Sequence, residues 1–242
     1  MDVKTRFLQY IALDTTSDEN CGDCPSTPNQ RALALRLAEE MRALGLDGVR
    51  ADEHAYVYGR IPGNDPAAPA IGLIAHMDTS DAVPGGPVHA RAVRWEGGEI
   101  LLNAEKNIRL TPDPAHLGHE LLVTDGLTLL GGDDKAGVAE IMTLCEYVLA
   151  HPEKKHGDIC VAFTPDEEIG RGADLFDVKG FGAEFAYTVD GGAVNEIEYE
   201  NFNAASAQVL VHGFSIHPGG AKNKMRNAAR LAMEFNAMLP VF

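Results

Sequence analysis

Ile71-Gly72-Leu73-Ile74-Ala75-His76-Met77-Asp78-Thr79-Ser80 is the stretch on which the fold turns. Its apolar beginning, Ile71 to Ala75, is short enough for a buried strand, and the strand empties into His-x-Asp. Residues two apart on an extended chain share a face, so His76 and Asp78 lie side by side. An α/β sheet places ligands at the carboxyl edge of its strands, where a histidine backed by a carboxylate is a metal ligand with its orienting partner. A structural histidine hydrogen-bonded to a nearby Asp has the same appearance, and the surrounding chain must separate the two.

Two further apolar runs end in similar chemistry. Ile159-Cys160-Val161-Ala162-Phe163 leads into Thr164-Pro165-Asp166-Glu167-Glu168-Ile169-Gly170, and Phe185-Ala186-Tyr187-Thr188-Val189 leads into Asp190-Gly191-Gly192. Between the first strand and these two, Gly131-Gly132-Asp133-Asp134-Lys135-Ala136-Gly137 opens a helical pattern that breaks by Pro152. Strands alternating with helices predict an α/β sheet with the acidic groups gathered at one edge. Carboxylates brought that close raise one another's pKa values and oppose folding unless a cation joins them. A histidine among them suits Zn²⁺, Mn²⁺ or Co²⁺ better than the all-oxygen shells of Ca²⁺ and Mg²⁺. A carboxylate can bridge two metals, so a two-metal hydrolase site fits, with one of the adjacent Glu167 and Glu168 binding metal and the other taking a proton from water. Each cluster alone also reads blandly: Asp-Glu-Glu as a solvated turn, Asp133-Asp134 as a pair favouring the helix start.

Upstream, residues 2–13 carry Val3, Phe7, Leu8, Tyr10 and Ile11 at near-helical spacing and predict a first amphipathic helix. A second helix starts with Thr27 as N-cap, Pro28 in the first turn and Gln30 three after the cap, and stops at Gly45. Tyr56 to Ile61 reads as a strand. From Thr79 to about Glu120 no periodicity is sustained, although Ile100–Leu102 and Leu121–Val123 could pair, and His116 and His119 are expected at the surface. Beyond Gly192, Glu196–Glu200 and Ala204–His212 alternate like strands and precede a helix from Asn223 to about Met238. We expect a catalytic domain over residues 1–200 and the start of a smaller domain over 201–242.

The 242 residues carry a net charge of −16, from 20 basic and 36 acidic side chains, which argues against nucleic acid or an anionic membrane as partner. No run of about 18 apolar residues predicts a membrane span, and the amino terminus lacks the apolar core of a signal peptide. Cys145 and Cys160 read as reduced core residues, Cys21-x-x-Cys24 is a lone pair, and a cytoplasmic location is expected. The Gly-rich stretch lacks the order of a phosphate loop, and no G-x-S-x-G elbow is present.

Taken in order, Ile74–Ser80, Thr128–Gly137, Phe163–Gly170, Tyr187–Gly192, Glu200–Ser206 and His217-Pro218-Gly219 resemble the dinuclear-zinc exopeptidase family, which contains carboxypeptidase G-like and aminoacylase-like enzymes, and within it the tripeptide aminopeptidases. The resemblance implies a three-layer α/β catalytic domain with an α+β lid or dimerisation domain. It implies two Zn²⁺, with Mn²⁺ or Co²⁺ as substitutes: His76 and Asp190 on one, Glu168 on the other, Asp133 bridging. It further implies that Asp78 orients His76, that Glu167 is the general base and then the acid for the leaving amine, and that His217 contacts a small peptide substrate. A homodimer through the lid is implied for a complete chain. The chain departs from the pattern at Gly132, where Ala is expected, and it stops before the segment that supplies a second histidine to the Glu168 zinc, so a truncated carboxyl terminus is expected. The alternatives are a catalytically inactive N-terminal portion, or a related dipeptidase or N-acyl amino-acid deacylase.

Overall fold

The computed structural model describes residues 1–201 and 203–241; Phe202, within the Glu200–Ser206 stretch, and Phe242 lie outside the described residues. The chain divides into two compact units, Met1–Glu196 and Ile197–Phe242. In the first, the order is α1 (Val3–Ile11), α2 (Pro28–Leu44), β1 (Asp47–Ala51), β2 (Val57–Ile61), β3 (Ile71–His76), β4 (Arg91–Arg94), β5 (Ile100–Asn103), β6 (Ile108–Leu110), β7 (Glu120–Val123), α3 (Gly132–Ala150), β8 (Ile159–Thr164), α4 (Val178–Phe181) and β9 (Phe185–Thr188).

Five strands form the main sheet in the order β1-β2-β8-β3-β9. The three apolar strands β8, β3 and β9 run parallel, with Ile71 opposite both Ile159 and Phe185 and His76 opposite Thr164. This register brings their carboxyl ends to one edge, as the α/β reading requires. β2 is antiparallel to β1 and β8.

Alternation along the strands gives each face its own core. Val57, Ile61, Leu73, Ala75, Val161 and Phe163 pack with Phe7, Leu33, Leu37, Met41, Val138, Ile141 and Met142 from α1, α2 and α3. On the other face Tyr56, Tyr58, Ala162 and Ile74 meet Phe176 and Phe181, whose rings stand edge to face with centroids 5.1 Å apart. The layers are therefore unequal: three helices on one face, an aromatic segment ending in the short α4 on the other. Gly72 is needed there, since a Cβ on it would lie 2.5 Å from the Phe181 ring and 2.7 Å from the Ala186 Cβ.

The ends of α2 follow the sequence with one exception. Gly45 closes α2 at φ 94° and Pro28 opens it, but the Thr27 side chain makes no capping bond; its hydroxyl donates to the Thr16 carbonyl. Arg6, on the buried side of α1, donates to Glu40 and Glu146 at 2.9 Å each and joins α1 to α2 and α3. Glu40 also accepts from the Tyr10 hydroxyl at 2.7 Å.

The expected pairing of Ile100–Leu102 with Leu121–Val123 does not form. β5 pairs with its neighbour β6 across a turn at Asn107, and β7 pairs with β4. A hairpin closed over a few residues costs less chain entropy than a pairing across about twenty, which explains why β5 takes β6. Trp95, Ile100 and Val123 give this excursion a small core.

In the second unit, neither Glu196–Glu200 nor Ala204–His212 forms a strand among the described residues. A strand needs a neighbour for its N–H and C=O groups, and Val209 and Leu210 are exposed rather than packed on one. A bridge joins Phe214 to Arg226, and α5 (Ala228–Asn236) begins only after it, capped by the Asn227 side chain, which accepts from Arg230 N at 3.1 Å. No helix among the described residues is long and apolar enough to cross a membrane.

The Gly72 contact gives a direct check on the aromatic layer. Gly72→Ala should cost about 1–3 kcal/mol of overpacking. Urea unfolding should then show a lower midpoint at unchanged slope, and an unchanged midpoint would mean that the Phe181 ring moves aside freely.

Candidate metal centre

His76 ends β3 and is buried. Its Nδ1 lies 3.0 Å from the Asp78 carbonyl oxygen and 3.3 Å from the Asp78 carboxylate, which holds a proton on that nitrogen and turns Nε2 outward. Nε2 meets Asp133 Oδ1 at 2.8 Å, Asp190 Oδ2 at 3.7 Å and Glu167 Oε2 at 3.9 Å. One ligating atom each from His76, Asp133 and Asp190 lies within 4.8 Å of the other two, so the three form a group that could hold a metal ion. One imidazole nitrogen with two carboxylates is a donor set that Zn²⁺, Mn²⁺ and Co²⁺ accept. The residues present fit one such ion.

The electrostatics show what a cation would relieve. Burial pushes the Asp190 and Glu167 carboxyls up, and neighbouring carboxylates, Asp133 for the first and Asp190 for the second, push further. For His76, burial works downward, but the contacts with Asp78 and Asp133 and the Asp134 charge outweigh it and set the imidazole at about 10. The histidine thus carries the positive charge that the carboxylates demand.

Asp78 does more than orient His76. It is fully buried, and its two oxygens accept the backbone N–H groups of Glu167 at 2.9 Å and Glu168 at 3.1 Å. The carboxylate therefore fixes the turn after β8 against the end of β3. Glu168 is raised by burial and then by the Asp133 charge, but among the described residues it joins no group of three donors. His217 lies in the second unit, where it starts a short 3-10 turn and its Nδ1 accepts from Gly219 N at 3.2 Å.

Two of the clustered acids do not face the site. Asp134 is buried behind His76 and accepts from His76 N at 3.2 Å and Gly137 N at 3.1 Å; burial and then the Asp190 charge push it up to about 8. Asp133 and Asp134 have non-helical backbone, so the pair does not act as a simple helix cap. Asp166 turns away from the edge and is bound by Ser26 and Gln30. Gly137, three residues after Asp134, also shapes the site. A Cβ there would lie 1.9 Å from the Val189 carbonyl oxygen, so its lack of a side chain lets the end of β9 bring Asp190 alongside Asp133. A cleft of about 750 Å³, bounded by Asp133, Gly137, Glu140, Asp190 and Gly192, opens beside the donors. Cys21 and Cys24 are free thiols outside this region.

The chain is 52% identical over 246 residues to peptidase T of Clostridium acetobutylicum, covering 99% of this chain and 60% of that protein. It is 57% identical over 242 residues to peptidase T of Desulfitobacterium hafniense strain Y51, covering 97% and 59%. The chain is homologous to peptidase T. It spans about three fifths of the length of these curated relatives. Residues 199–242 match the family described as a peptidase dimerisation domain. The α/β fold is shared with the crystal structure of aminopeptidase PepT from Bacillus cereus, at a TM-score of 0.65 and 22% identity over 99% of this chain and 56% of that one. It is also shared with a tripeptidase from Staphylococcus aureus, at a TM-score of 0.55 and 24% identity over 79% and 43%.

Two outcomes test the centre. Because His76 holds its proton up to about 10, a metal ion must displace it. Zn²⁺ affinity should therefore rise with pH across the neutral range, and calorimetry at pH 7 in buffers of different ionisation enthalpy should find about one proton released per ion; no release would contradict the His76 assignment. Gly137→Ala should weaken Co²⁺ or Zn²⁺ binding by about tenfold or more, as expected when a supporting contact of a site is lost, while circular dichroism stays unchanged. Unchanged affinity would show that Asp190 is not held in place through Gly137.

Proposed function

We propose that this chain supplies the catalytic unit of a metal-dependent aminopeptidase that removes the N-terminal residue of tripeptides. The observation that carries the proposal is the grouping of His76, Asp133 and Asp190 with Glu167 Oε2 beside them, in a chain homologous to peptidase T. In this reading residues 1–200 are catalytic and 201–242 begin a lid through which the protein forms a homodimer; the match of residues 199–242 to a peptidase dimerisation domain supports the second part. The unpaired cysteines suit a cytoplasmic protein.

His76 and Asp190 would hold one Zn²⁺, Asp133 would bridge to a second, and Glu168 would bind that second ion. When bound, such a pair lowers the pKa of a water molecule and polarises the scissile carbonyl. Glu167 Oε2 receives the proton from the attacking water and returns it to the departing amine. Its carboxyl, raised by burial and by its acidic neighbours, is tuned in the direction this exchange needs. Asp78 holds Nδ1 of His76 and the Glu167 amide together, so ligand and base keep a fixed separation. A substrate-contacting role for His217 is part of this proposal and is supported by the resemblance of His217-Pro218-Gly219 to the family.

A second reading is favoured by one observation: among the described residues Glu168 joins no group of three donors. On that reading residues 1–242 bind one ion and do not turn over. Metal content and hydrolysis of free tripeptides, dipeptides and N-acyl amino acids separate the possibilities. The aminopeptidase reading expects two Zn²⁺ and preferential tripeptide cleavage. Glu167→Gln should then lower kcat by about 10²–10⁴-fold, the usual worth of a general base, at unchanged metal content. One ion without cleavage supports the second reading, and faster dipeptide or acyl-amino-acid hydrolysis would make the chain a related hydrolase.

A further inference from the structure

The turn that carries Glu167 and Glu168 is gripped twice, and the second grip comes from α2. Asp166 is fully buried and adopts φ 56°, a left-handed conformation that Asp tolerates better than most residues. Its carboxylate accepts from Ser26 N at 2.8 Å, from the Ser26 hydroxyl at 2.5 Å and from Gln30 Nε2 at 2.6 Å. The Asp166 N–H returns to Gln30 Oε1 at 3.1 Å. The fully buried Gln30 amide therefore both donates to the side chain and accepts from the backbone of one residue, which fixes position and orientation together. The Asp166 carbonyl then accepts from Arg171 N at 2.9 Å and closes the loop.

Nothing in this network reaches the cleft, yet its next two residues are the proposed base and second-ion ligand. On the far side, Asp78 takes the amides of Glu167 and Glu168. The turn is thus suspended between a carboxylate at the end of β3 and an amide at the start of α2. We propose that Gln30, acting through Asp166, is a positioning residue for Glu167 and Glu168, with Ser26 as its partner. The inference rests on the hydrolase reading for its effect on turnover, while its structural arm stands independently.

The test compares the whole chain with Gln30→Met, which keeps the side-chain length but removes both hydrogen bonds to Asp166 and the weaker ones to Ser26 and Thr27, and with Ser26→Ala, a milder deletion. Backbone amide exchange is followed at Glu167 and Glu168, with the α3 amides as the control for folding. Gln30→Met should speed exchange at Glu167 and Glu168 by about tenfold or more and leave α3 unchanged, because only a local opening is eased. Ser26→Ala should act at the same two amides to a smaller extent, and it serves alone if Gln30→Met does not fold. In tripeptide hydrolysis Gln30→Met should lower kcat by about tenfold or more with KM within about twofold, the pattern of a misplaced catalytic group. Unchanged exchange at the two amides in a folded variant overturns the proposal, as does faster exchange with unchanged kcat. Faster exchange in a chain whose parent cleaves no tripeptide keeps the positioning grip and removes the hydrolase reading instead.

Discussion

The Asp78 carboxylate is where three pieces of the molecule meet. It is fully buried, and its contacts among the described residues are the His76 ring and the two amides of the Glu167–Glu168 turn. A buried carboxylate must be satisfied by hydrogen bonds or a charge. Here the turn after β8 can supply its amides only if β3 and β8 keep their parallel register, with His76 beside Thr164. Sheet register, ligand orientation and the location of the proposed base are thus one constraint. A strand slip would separate Asp78 from the amides at the same time as it moved His76.

The rest of the edge is organised against its own repulsion. Asp133, Glu167 and Asp190 converge on a single imidazole; burial raises the Glu167 and Asp190 carboxyls, and the Asp190 charge on the first and the Asp133 charge on the second raise them further. Hydrophobic packing under the sheet must hold these groups where electrostatics would disperse them. The core of α2 and α3 against β2, β3 and β8 does this, and Gly137 allows the end of β9 to come close enough to complete the set. A cation in the group would turn the same convergence from a cost into a favourable interaction, the familiar linkage between metal binding and folding.

Much of this was legible in the residues. The parallel core showed in three apolar runs of strand length, each ending in ligand-type chemistry, and helix α2 was bounded by Pro28 and Gly45. That His76 and Asp190 come to one edge was also readable, because strand ends in an α/β sheet converge whatever lies between them; Asp133, in the first turn of α3, reaches the same edge by another route. Pairings that depend on competition between partners were not readable: β5 chose β6 through a short closure, which left β7 to pair with β4, and a hydrophobic pattern does not encode that competition. The alternating segments after Glu196 show the complementary limit. Alternation describes a face, but a strand forms only where another strand receives its backbone hydrogen bonds.

The hardest part to read was the division of work among neighbouring acids. Asp133 faces His76 while Asp134 supports it from behind. Glu167 faces the imidazole while Asp166 is locked to α2. At a turn or helix start consecutive side chains diverge, so a run of acids cannot all ligate. Those directed away from the site must find donors in the scaffold or suffer burial unpaired. The Asp166 and Asp134 hydrogen bonds meet that requirement, and in doing so they tie the backbone of each functional residue to a different element of the core. An acidic cluster at a sheet edge therefore signals both a site and its anchorage, and Gln30, far upstream in sequence, has a place in the second because Asp166 has none in the first.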